Sequence, residues 1–150
     1  MADRAYVSTT LEADLATVWS LLGSFHTWPS WLTRIRESVP EGGSGVGSVR
    51  RLTLEPDGRQ VRERLAHHDD ADHRFSYEFV GENPFPVSRY LGTVHLLPIT
   101  ETGGTFIEWF GDYDTEPERA EPLRATFVAI YAAFLDDLRK HLALSTSVGP

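Results

Sequence analysis

Residues 46–65 read VGSVRRLTLEPDGRQVRERL, two alternating runs on either side of Asp57-Gly58. In the first run Arg50 keeps step with Leu52 and Leu54. In the second, Glu63 sits between Val61 and Leu65, so a period of two sends both charges to the face that carries the apolar side chains. Asp-Gly between alternating runs is a strong short-range hairpin signal, and the two runs pair as antiparallel strands. A charge facing a core is costly unless it is paired or hydrated. Two readings follow: Arg50 and Glu63 form an internal ion pair, or the sheet lines a cavity that holds something polar.

The alternation continues downstream over 73–80, 89–99 and 104–113, with short turns between. Phe75, Tyr77 and Phe79 share one face of the third strand, and Tyr90, Val94 and Leu96 one face of the fourth. In the fifth, Phe106, Glu108 and Phe110 alternate with Ile107 and Trp109, so period alone does not choose the inner set. Upstream, Arg4 to Leu11 reads as a strand. Asp14 then opens a short helix with Leu15, Val18 and Leu22 on one side, ending at Gly23. Phe25, Trp28 and Trp31 around Pro29 suit a second short helix, and Glu41 to Gly45 is a loop. After the strands, Thr115-Glu116-Pro117-Glu118 reads as a capping box, Glu121-Pro122 offers a second start, and Leu123, Phe127, Ile130, Tyr131, Phe134, Leu138 and Leu142 form one stripe of a long helix to about Leu144. The expected fold is α+β: a strongly bent antiparallel sheet around one long C-terminal helix.

At 150 residues the chain fits a single domain, 1–150, with 145–150 as a frayed tail. The composition is 41% hydrophobic and 24% charged, that of an ordinary globule. A net charge of −8 without a basic run argues against nucleic acid. No cysteine is present, which excludes a disulfide framework, a thiolate nucleophile and a Cys-ligated metal. No apolar leader and no long apolar run occur, so membrane insertion is not expected and a cytoplasmic location is. His67-His68-Asp69-Asp70-Ala71-Asp72-His73 has the composition of a metal site without its spacing and reads as a solvated turn. No metal and no cofactor are expected. No nucleophile-elbow or phosphate-loop motif occurs.

The order of elements resembles the helix-grip fold of the START and Bet v 1-like (SRPBCC) superfamily. Val18-Trp19-Ser20-Leu21, Phe25, Val46-Gly47-Ser48-Val49-Arg50, Glu63-Arg64-Leu65 and Asp69-Asp70 resemble its polyketide cyclase/dehydratase-like branch, to which the plant abscisic acid receptors are related. The resemblance runs from about Tyr6 to Leu142. It implies that Arg50, Leu52, Leu54, Glu63, Tyr77, Tyr90 and Glu108 face an internal cavity. It also implies that Ile130 and Phe134 close the cavity from the helix, with Trp28 and Trp31 near its floor or mouth. Phe110 joins this lining, and Phe85, in the segment 82–87, is expected as a flap. The chain departs from the receptors in two places. Leu32 or Thr33 stands where their cavity lysine falls, and Glu55-Pro56-Asp57-Gly58-Arg59 replaces their gate loop, so abscisic acid and a gate mechanism are not expected.

The implied ligand is a hydrophobic, partly oxygenated small molecule, polyketide-like or polycyclic. As an enzyme, the protein would use Glu108 or Glu63 to move a proton and Tyr77 or Tyr90 to polarise an oxygen in a cyclisation or dehydration. As a carrier or sensor it would bind without chemistry, and Arg50 with Glu63 would be structural. Glu108, with no evident cationic neighbour, is expected to have a pKa raised by desolvation, which makes it the better acid/base candidate. Whether the protein is a monomer or a homodimer stays open.

Overall fold

The computed structural model describes residues 3–147. Seven strands form one antiparallel sheet: β1 (Asp3–Leu11), β2 (Ile35–Glu41), β3 (Val49–Leu54), β4 (Gln60–Asp69), β5 (Arg74–Phe79), β6 (Arg89–Pro98) and β7 (Thr105–Asp114). Their spatial order is β1-β7-β6-β5-β4-β3-β2, so every consecutive pair from β2 to β7 is adjacent and β1 closes onto β7. α1 (Leu15–Leu22) and a 3-10 turn at Trp28–Ser30 follow β1, and α2 (Ala120–Ser147) lies against the concave face, the helix-grip arrangement.

Alternation sets the inner face as the sequence pattern requires. On β3 and β4, Leu52, Val61 and Leu65 are buried together with Arg50 and Glu63, and Arg50 pairs in register with Glu63. The hairpin between them is closed by Leu54 N donating to Arg59 O at 2.8 Å and Gly58 N to Leu54 O at 2.9 Å. Gly58 takes a positive φ of 76°, which glycine adopts without steric cost. Asp14 caps α1 by accepting from Thr17 N at 2.9 Å. Leu123, Phe127, Tyr131, Leu135, Leu138 and Leu142 form the buried stripe of α2. The same helix covers the exposed edge of β1. Arg124 Nε donates to Arg4 O at 3.0 Å and Arg139 Nη2 to Thr10 O at 3.2 Å, which blocks edge-to-edge pairing.

The structure differs from the sequence reading at four places. β2 was not legible, because IRESVPE carries three charged residues and a proline; those residues suit an edge strand, which β2 is. The second short helix is only the 3-10 turn Trp28–Ser30. Thr115 does not cap a helix: its hydroxyl donates to Pro86 O at 2.6 Å, and a 3-10 turn at Pro117–Arg119 leads into α2. The tail expected at 145–150 is helical through Ser147, and residues 148–150 lie outside those described.

Candidate functional site

Between the concave face and α2 lies a cavity of about 230 Å³. Leu52, Leu54, Val61 and Phe79 come to it from β3, β4 and β5, Phe85 from the β5–β6 loop, and Phe127, Ile130 and Phe134 from α2. The exposed lining residues are Arg34, Glu55 and Arg59, so these mark the mouth. The opposite end is formed by buried Trp28, Arg50, Glu63, Tyr77, Tyr90 and Tyr131.

The inner charges satisfy each other. Arg50, 1% exposed, donates from Nε and Nη2 to Glu63 Oε1 at 2.9 and 2.6 Å and from Nη1 to Phe25 O at 2.8 Å. Its guanidinium carbon lies 3.9 Å from the ring centres of both Phe25 and Trp28, a cation–π contact on each. Both contacts to Glu63 use Oε1, and no hydrogen bond reaches Oε2 among the described residues.

Beside the pair stand three phenols. Tyr90 and Tyr131 share a hydroxyl–hydroxyl hydrogen bond, and Trp109 Nε1 donates to Tyr77 OH at 3.0 Å. A pair of glycines makes room for them. Gly92 and Gly111 face each other across β6 and β7; a Cβ would come within 2.4 Å of the Tyr77 ring at Gly92 and within 2.2 Å of the Tyr131 hydroxyl at Gly111. Burial, with the Glu63 charge nearby, raises the Tyr77 pKa to about 12; burial raises Tyr90 and Tyr131 well above the ordinary phenol value. All three are neutral donors at physiological pH. Tyr90 also hydrogen-bonds Tyr77, so two of the three O–H groups are used within the cluster and one is left for a ligand oxygen.

Arg50, Leu52, Leu54, Glu63, Tyr77, Tyr90, Phe85, Trp28, Ile130 and Phe134 therefore come together around the cavity. Glu108, Phe110 and Trp31 do not. On β7 the inner set is Ile107, Trp109 and Tyr113, each with no exposed surface, which puts Glu108 and Phe110 on the convex face. There Glu108 Oε1 accepts from Tyr6 OH at 2.6 Å and Oε2 lies 3.1 Å from His95 Nδ1, whose Nε2 is 3.3 Å from Asp72 Oδ1. The Tyr6 hydrogen bond, helped by His95, holds the Glu108 pKa below its ordinary value, the reverse of the sequence expectation. Phe110 is covered by Tyr6, stacked at 6.0 Å, and by the Arg4 guanidinium at 4.4 Å. Trp31 is buried against Trp28, behind the lining.

Val61 and Phe79 were readable from the same alternation that chose Glu63 and Tyr77, and Ile35 only once β2 is known. Arg34, Glu55 and Arg59 lie in connections, where no periodic signal exists. The His/Asp segment is a turn: Asp69 Oδ1 accepts from Ala71 N and Asp72 N at 2.9 and 3.0 Å. No group of three or more metal-binding side chains occurs among the described residues. No helix among them is long and apolar enough to cross a membrane.

Comparison with known proteins agrees with this geometry. The polyketide cyclase / dehydrase and lipid transport family matches residues 3–143. The protein XoxI from Bacillus cereus is 30% identical, with 95% of this chain and 98% of that one covered and a TM-score of 0.83. An uncharacterised protein from Bacillus thuringiensis is 29% identical over 91% of this chain and 96% of its own, with a TM-score of 0.79. A Nitrosospira multiformis protein is 28% identical over 91% and 94%, with a TM-score of 0.75. No curated protein matches. With its fold, register and matched span in agreement, the chain belongs to the polyketide cyclase / dehydrase and lipid transport family, an SRPBCC-type helix-grip family.

Proposed function

We propose that the protein binds a small, largely apolar, oxygenated molecule in the concave cavity, with a ligand carbonyl or hydroxyl oxygen at the Tyr77–Tyr90–Tyr131 cluster. The observation that carries this is the pairing of an apolar chamber with neutral phenol donors at its buried end. Size sharpens the ligand. An apolar cavity of roughly 150 Å³ accepts benzene, so about 230 Å³ favours one or two rings over a larger polycycle. Titration calorimetry with 2-naphthol tests it. Saturable one-to-one binding is expected, weakened at least tenfold in Ile130→Trp, whose indole fills the chamber from α2. Equal binding by both proteins would overturn the assignment.

A second reading, acid/base cyclisation or dehydration, rests on one observation: Glu63 lines the cavity, and its Oε2 has no hydrogen-bond partner among the described residues. Glu63 is then the proton-moving group and the phenols polarise the substrate oxygen. Glu63→Gln separates the readings once a substrate is known. Unchanged turnover on that substrate would exclude Glu63 as the proton-moving group.

A further inference from the structure

The cavity mouth carries a charge that a neutral ligand would not use. The charged residues lining the whole cavity are Arg34, Arg50 and Arg59 against Glu55 and Glu63. Four of the five are paired: Arg50 with Glu63, Arg34 Nε with Asp137 Oδ2 at 3.3 Å, and Glu55 with Arg36. The Arg59 guanidinium has no hydrogen-bond or ionic partner among the described residues. Its backbone is held on both sides, with Arg59 N donating to Asp57 Oδ1 at 3.0 Å and Arg59 O accepting from Leu54 N. A fixed backbone thus presents a free cation at the rim, on a chain whose net charge is −8.

We infer that the ligand is an amphipathic carboxylic acid, with its apolar body between sheet and α2 and its carboxylate at the mouth on Arg59. The inference rests on the cavity reading proposed above. The buried end does not suit an anion. Arg50 commits three of its five N–H donors to Glu63 and Phe25 O, and the Glu63 carboxylate beside it repels a second negative charge. Neutral oxygens suit the phenols there. At the mouth, the planar guanidinium fork of Arg59 matches a carboxylate through two parallel hydrogen bonds, while Arg34, on the same lining, is neutralised by Asp137. The cavity therefore sorts ligand oxygen by charge along its length, neutral oxygen inward and anionic oxygen outward.

The test is calorimetric titration at low ionic strength with ω-phenylalkanoates, from phenylpropanoate to phenyloctanoate, and with the alcohols of matching length. In the wild-type protein the best acid is expected to bind about fivefold tighter than its alcohol, the scale of one partly exposed ion pair. Arg59→Gln should bring that ratio close to one, and added salt should narrow it in the wild type. Arg4→Gln, which changes the net charge equally on the convex face, should keep it. No acid preference in the wild type, or the same preference in Arg59→Gln, overturns the inference while alcohol binding leaves the cavity reading standing. Failure of both acids and alcohols to bind overturns the two together.

Discussion

The sheet carries a carboxylate-and-cation cluster on each face, and the two are built of similar residues to different ends. On the concave face the Arg50–Glu63 pair is sealed by Phe25, Trp28 and Tyr77. On the convex face Glu108 sits among Tyr6, His95 and Arg74, where water reaches the group. A partner lost inside leaves an uncompensated charge in an apolar wall; a partner lost outside is replaced by solvent. Burial, more than residue type, decides whether such a cluster shapes a binding site or holds a surface in register.

Arg50→Met should show the contrast most strongly. It leaves Glu63 buried and unpaired, and urea unfolding should reveal a loss of about 3–5 kcal/mol. The double variant Arg50→Met/Glu63→Leu should recover most of that, and a double variant no more stable than the single one would break the argument. Next come the glycines under the phenols. Gly92→Ala or Gly111→Ala pushes Tyr77 or Tyr131 out of place at about 1–3 kcal/mol, with loss of 2-naphthol binding. An unchanged affinity in both would show that the phenols do not hold the ligand.

A smaller effect separates the faces by pH. Tyr77 ionises near 12 in the folded chain against an ordinary 10.0, so its stabilising contribution is complete below pH 10 and lost as the pH rises toward 12. Tyr77→Phe should flatten that alkaline slope. Glu108 has the opposite sign. Its folded pKa lies below the ordinary 4.5, so its contribution is present above that value and disappears as the pH falls through the folded pKa. Glu108→Gln should cost under about 1 kcal/mol at neutral pH. The difference from wild type should shrink in acid, and ligand affinity should not change.

Most of the fold was legible, because it rests on periodicity. Asp57-Gly58 located the central hairpin, alternation chose the inner face of β3 to β6, and the three- and four-residue stripe defined α2. Where that signal was ambiguous, the reading failed. β7 is apolar on both sides because Arg4 and Tyr6 cover Phe110 from outside, so Glu108 looked as eligible for the cavity as Trp109. Its cationic neighbours were equally hidden. His95 and Arg74 reach Glu108 across strands, a register that single-strand alternation does not contain. The Arg50–Glu63 pair was readable for the opposite reason, since one hairpin brings both residues into register.

The claim that the concave face is the binding face is tested most directly by mapping chemical-shift changes on titration with 2-naphthol. The account predicts that they concentrate at Tyr77, Tyr90, Phe85, Ile130 and Phe134, with Tyr6, Leu91 and His95 unmoved. Changes centred on the convex group around Tyr6, His95 and Glu108, with the concave residues silent, would contradict it.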